Sequence, residues 1–134
     1  GAPDELSIYA AEDYWHGKGN SLRRYSLRLD GFVSLHASMK GGELLTVPIT
    51  FTGNQLSLNF STSAAGSLYV EIQNAAGEPI PGFTFQDCDE LFGDTVDRTV
   101  TWNKKPDVSS LAGKPVRLRF RLKDADLFSY QFQD

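Results

Sequence analysis

Val116-Arg117-Leu118-Arg119-Phe120-Arg121-Leu122-Lys123 (116–123) alternates apolar and cationic side chains without a break. Successive side chains of an extended chain point to opposite faces. The octet therefore sets Val116, Leu118, Phe120 and Leu122 on one side and four cations on the other. One face in a core and one toward water is the pattern of an antiparallel sheet. The same period recurs in Leu56, Leu58 and Phe60, in Leu68, Val70 and Ile72, and at 96–102, where Val100 and Trp102 share a face that Arg98 interrupts. Helical periodicity is nearly absent.

Turn chemistry divides the runs. Asp30-Gly31 stands between 25–29 and 32–35 and predicts a hairpin there. Gly53-Asn54 and Asp124-Ala125-Asp126 predict two more reversals. Strand runs at 23–29, 32–37, 44–51, 55–61, 67–74, 96–102, 115–123 and 127–132 then predict an all-β fold, an antiparallel two-sheet β-sandwich of jelly-roll-like form. A closed barrel is the alternative, because alternation does not distinguish a curled sheet from two stacked ones. The expected core holds Leu58, Phe60, Val70, Ile72, Leu118, Phe120 and Leu122, with Trp102, Phe83 and Phe85 added to it. The irregular stretch 75–94 is expected to be functional or packed over that core.

Composition narrows the function. The 134 residues carry 13 Lys and Arg against 17 Asp and Glu, a net charge of −4, which argues against nucleic acid as a partner. A 40% hydrophobic content at this length suits one module over 1–134 with one core. No run approaches the ~18 apolar residues of a membrane span, so no membrane partner is expected. Gly1-Ala2 reads as a cleavage remnant. The single Cys88 makes no internal disulfide, and with two histidines it builds no Cys/His zinc site. Its neighbours Asp87, Asp89 and Glu90 oppose thiolate formation, so an inert, packed cysteine is expected. Neither His16 nor His36 shows a serine and an acid beside it, so no catalytic residue is assigned and the chain is not expected to be an enzyme.

Three stretches taken together, AEDYWHGKGNSLRRYSLRLDGFVSLHA (11–37), LNFSTSAAGSLYVEIQNAAGEPIPGF (58–83) and SLAGKPVRLRFRLKDADLFSYQF (110–132), carry a family likeness. They resemble the β-sandwich module at the C-terminal end of bacterial five-bladed-propeller proteins of the fructosidase-like and sialidase-like glycosidase group. The resemblance implies an accessory module beside a secreted or periplasmic polysaccharide-degrading enzyme, whose catalytic carboxylates would lie on the propeller. The catalytic domain of the parent chain would then be one partner and a polysaccharide the other.

Sugar-binding surfaces combine aromatic rings, which stack on C–H faces, with polar groups for the hydroxyls. Tyr14, Trp15 and His16, in a loop with Gly17 and Gly19, supply both kinds of group. In the competing reading Trp15 only staples a strand to the sandwich. Arg117, Arg119, Arg121 and Lys123 form a second candidate, a row on one sheet face spaced about 7 Å apart and suited to the anionic groups of a glycan. Arg24 and Arg28 would extend it if their strand lay alongside, whereas pairing with carboxylates such as Glu71 would make the row an ordinary solvated face. Asp87, Asp89, Glu90 and Asp94, with Asp97, hold enough oxygens for one structural calcium ion, although their spacing is not that of the twelve-residue calcium loop. The function expected is a non-catalytic carbohydrate-binding module, and its rival is a structural domain that packs on a propeller without binding sugar.

Overall fold

The structure is a computed structural model, and it describes residues 4–12, 19 and 21–134. All of its long elements are strands: β1 (Glu5–Glu12), β2 (Ser21–Arg28), β3 (Leu35–Ala37), β4 (Gly42–Leu45), β5 (Gln55–Asn74), β6 (Asp94–Thr99) and β7 (Val116–Gln133). A short 3-10 turn lies at Ser109–Leu111. The chain forms two compact units, Gly1–Val33 and Ser34–Asp134. Each contains one antiparallel sheet among the described residues, and the fold is all-β as expected.

In the first unit β1 and β2 pair antiparallel, with Leu6 opposite Leu27 and Ile8 opposite Tyr25. Arg24 crosses the hairpin's other face to reach Glu5 and the Ser7 hydroxyl. This pairing corrects the hairpin expected about Asp30-Gly31. The turn itself is present, with Asp30 at φ 55 and the Gly31 N–H donating to the Arg28 carbonyl at 2.9 Å. However, the flanking strands find other partners: β2 takes β1, and β3 takes β7. Phe32 and Val33, which would have continued the hairpin, are exposed.

The second unit is built on two long strands. β7 lies between β3 and β5, β6 adds to β5, and β4 also pairs with β7. The runs 55–61 and 67–74 are therefore one strand, as are 115–123 and 127–132. The reversal expected at Asp124 does not occur. Asp124, at φ 43, is an irregular step that faces the register shift of β5 between Thr62 and Ser67. Small polar and turn-forming residues mark a bulge here as readily as a turn, and only pairing across the sheet decides between them.

These two steps bend the sheet over on itself. On a straight strand Phe120 and Tyr130 would be about 33 Å apart. Their ring centroids are 5.7 Å apart. Likewise the Val100 N–H donates to the Leu56 carbonyl while the Trp102 indole N–H, two residues on, donates to the Val70 carbonyl. Leu56 and Val70 would stand roughly 46 Å apart if β5 ran straight. The inner faces of both long strands thus enclose one core, in which Leu56, Leu58, Phe60, Leu68, Val70, Ile72, Val116, Leu118, Phe120 and Leu122 are buried with Trp102.

Gly66 sits at this bend. A Cβ there would lie 2.4 Å from the Asp124 carbonyl oxygen and 2.8 Å from that of Lys123. Both are backbone atoms of the paired strand and have little room to move. Gly66→Ala is expected to destabilise the protein by about 1–3 kcal/mol, the range for overpacking. Urea denaturation of the variant checks this, and an unchanged midpoint would show that the strands separate freely at the bend.

The stretch 75–94 packs over the core and closes the free edge of β5. The Leu68 N–H meets the Leu91 carbonyl, the Ile72 N–H the Phe83 carbonyl and the Asn74 N–H the Glu78 carbonyl. Between them Val70 is closed by side chains, its N–H on Cys88 Sγ at 3.3 Å and its carbonyl on the Trp102 indole. Buried backbone groups must find partners, and this segment supplies them without a regular strand.

Cys88 is accordingly buried, and its thiol is pushed up to about 11. Burial is the main cause. The Asp89 carboxylate adds to the shift, and the Val70 N–H bond opposes it. Phe83 packs against the core edge-on to Trp102. Phe85, expected in the core, is instead half-buried at its margin.

Candidate functional site

Tyr14, Trp15 and His16 lie outside the described residues. The basic row lies on the outer face of β7. Register places Glu43 of β4 and Tyr69 of β5 on either side of Arg121, and Leu45 and Glu71 on either side of Arg119. Arg119 donates from Nε and Nη2 to Glu43 Oε2 at 2.9 and 2.6 Å, and Arg121 donates from Nε to Glu43 Oε1 at 3.1 Å. One carboxylate thus bridges two guanidinium groups. The Arg119 hydrogen bond, supported by Arg121, holds the Glu43 carboxyl below its ordinary range, and Arg119 is raised in turn.

The expected cross-strand partner Glu71 is also present, with Oε1 at 3.6 Å from Arg119 Nη1. It is buried, and Gln73 Nε2 at 2.8 Å and the Phe85 N–H at 3.3 Å complete its contacts. Arg117 donates from Nε to the Ala75 carbonyl at 3.2 Å. Arg24, on β2 of the other unit, is engaged within its own hairpin.

The structure adds an aromatic group that the sequence reading placed elsewhere. The guanidinium carbon of Arg121 lies 4.1 Å from the centroid of the Phe85 ring, and that of Arg119 lies 5.3 Å from it. Cation–π contact of this kind holds a guanidinium flat and limits its rotamers. Arg121, Phe85, Glu71, Thr84, Gln86 and Pro79 line a shallow cleft of about 340 Å³. The sheet supplies Arg121 and Glu71, and the irregular stretch over it supplies the rest. The cleft thus combines a ring, a guanidinium and an amide side chain, the mixture that polar ligands use.

The acidic loop does not gather its carboxylates. Asp87 accepts from the Thr84 hydroxyl and N–H and from Asn103. Asp89 accepts from the Thr101 hydroxyl and from the N–H and Nζ of Lys104. Glu90 is turned toward Tyr69, whose phenol is pushed up in pKa by burial and by that carboxylate. Ser57 holds Asp97, and Asp94 lies in β6. Among the described residues no three His, Cys, Asp or Glu side chains stand together as metal ligands. The carboxylates of Asp87 and Asp89 instead order the turn in which Asn103 and Lys104 adopt φ 51 and 66.

Asp89 carries the clearest pH signature. Bonds from the Thr101 hydroxyl and from Lys104 lower its carboxyl to about 2. A carboxyl whose folded value lies below its unfolded value of about 3.9 stabilises the fold above that pH, and loses the contribution as pH falls toward about 2. Asp87 shifts in the same direction, chiefly through the Thr84 hydroxyl. Stability should therefore decline between about pH 4 and pH 2. Asp89→Asn should make that decline shallower, as measured by urea midpoints across the range. An unaltered slope would remove Asp89 from the account.

His36, on β3, places Nδ1 3.1 Å from Asp126 Oδ1, and the Ser34 hydroxyl donates to the same oxygen at 2.8 Å. A serine, a histidine and an acid do meet here, a proximity the sequence does not show. The serine is on the carboxylate, however, and not on the imidazole as a nucleophile–base pair requires.

Comparison of the chain with protein families, curated proteins and solved structures finds no match.

Proposed function

We propose that this chain is a non-catalytic carbohydrate-binding module, a jelly-roll-like β-sandwich attached to a secreted or periplasmic bacterial glycan-degrading enzyme. The observation that carries the reading is the Arg121–Phe85 cleft, where a guanidinium fixed on a ring opens onto the outer sheet face. A shallow site of this form buries little of each sugar, so weak affinity gained by repetition along a polymer is expected. Native gels cast with single polysaccharides test it. A retarded wild-type chain, with retardation lost in Arg119→Ala, supports the sheet face. Retention that survives Arg119→Ala and disappears in Trp15→Ala moves the site to the 14–16 loop. No retention on any polysaccharide overturns the proposal.

One observation favours the accessory reading. Leu6, Ile8 and Tyr25 share a face of the β1–β2 hairpin with Leu27, at 39%, 50% and 45% exposure for the first three. An isolated two-stranded hairpin is marginal in water, and a catalytic domain of the parent chain covering this face would stabilise it. A folded chain that binds no sugar and is stabilised by its parent domain supports this second role.

A further inference from the structure

Taking the carbohydrate reading of the cleft as its basis, we infer that the ligand is an acidic polysaccharide, whose carboxylate or sulfate oxygens are received by the terminal amino groups of Arg121. Several polar groups of the face are already engaged within the protein. Glu43 is consumed by Arg119 and by Arg121 Nε. Glu71 is buried and consumed by Arg119, Gln73 and the Phe85 N–H. The Thr84 hydroxyl donates to Asp87, and Arg117 Nε donates to Ala75.

Apart from the Gln86 amide, which both donates and accepts, what remains are donors. Arg121 Nη1 and Nη2 meet no acceptor among the described residues, and the side chain is half exposed. Lys123, next on the same face, is exposed and likewise has no partner among the described residues. A ligand for this face must bring acceptors. A neutral sugar offers hydroxyls, which need acceptors as well as donors, whereas a carboxylate or sulfate offers oxygens alone. The four cations of the row outnumber Glu43 and Glu71, although the chain as a whole is acidic.

Geometry also favours an oxyanion. The Nε edge of Arg121 is held by Glu43 and its guanidinium carbon lies over the Phe85 ring, so little rotamer freedom is left to lose. Its two terminal nitrogens then face outward as a fork that matches two oxygens on one centre. Glu43 is a positioning residue in this scheme, since it aims the fork without touching the ligand.

Affinity electrophoresis at low salt with four polymers tests the inference: polygalacturonate, its full methyl ester, a sulfated galactan and the unsulfated galactan. Retention by polygalacturonate that is lost in the methyl ester assigns a carboxylate, and retention by the sulfated galactan alone assigns a sulfate ester. In either case Arg121→Met, which keeps the stem on Phe85, should weaken binding about tenfold, the worth of one charge-assisted pair. Circular dichroism of the variant should match the wild type. Arg121→Lys, which keeps the charge without the fork, is the second variant and should also bind more weakly. Equal retention by charged and neutral polymers, or full retention by Arg121→Met, overturns the inference and leaves the carbohydrate reading standing. No retention by any polymer overturns both.

Discussion

Trp102→Ala is expected to remove about 3–5 kcal/mol of stability, the range for deleting a large buried aromatic. The indole is 2% exposed and its ring meets Phe83 edge-on with centroids 5.3 Å apart. It also fastens two regions of the bent sheet, because its N–H donates to the Val70 carbonyl at 3.0 Å on an edge where no strand pairs. Trp102→Phe separates the two contributions. It keeps most of the ring and leaves the carbonyl without its donor, a loss of about 1–3 kcal/mol for a buried unsatisfied group. Small domains hold only about 5–15 kcal/mol in total, so the alanine variant should be partly unfolded in mild urea. Chemical denaturation of both variants checks the order wild type, Trp102→Phe, Trp102→Ala. A phenylalanine variant as stable as wild type would show that the Val70 carbonyl has another partner.

The part of the fold legible in the sequence was what period-two alternation encodes. The octet 116–123 announced both its buried face and its cationic face, and every residue expected in the core from the alternating runs is buried. The connections were less legible. Ser61 to Gly66 and Asp124 have the composition of turns, yet each occupies an irregular step within a continuous strand. Local chemistry specifies that the backbone must bend, and the partner strand decides whether it reverses. β1 is not legible in the sequence because its alternation, in ELSIYAAE, is weak and its side chains stay largely exposed.

The site was legible to the same extent. The cationic row followed from spacing, and its pairing with Glu71 was foreseen as the competing reading. Glu43 and Phe85 were not, because both arrive by long-range contact. Glu43 reaches Arg119 from 76 residues away, and no periodicity marks it. Phe85 sits in a stretch without regular structure, where an aromatic residue is read as core by default, and only the guanidinium contacts place it at the surface.

Phe120→Ala tests the strand that carries that site. Phe120 is fully buried, lies opposite Leu44 on one side and Val70 on the other, and touches the Tyr130 ring across the fold of its own strand. Its loss should lower stability by about 3–5 kcal/mol through the cavity left behind. The lower end applies if Tyr130, which is partly exposed, fills part of the space. Phe120→Leu keeps most of the volume and should lose less, and urea midpoints give the order directly. A midpoint unmoved by the alanine change would show that the inner face of β7 has been misassigned. The neighbouring Arg119 and Arg121 point the other way and take their partners from Glu43, Glu71 and Phe85. Molecules of Phe120→Ala that remain folded should therefore keep the bridged carboxylate, so retention on an acidic polymer should fall only in proportion to the unfolded fraction. Loss of retention at full folding would mean that core packing sets the aim of the Arg121 fork.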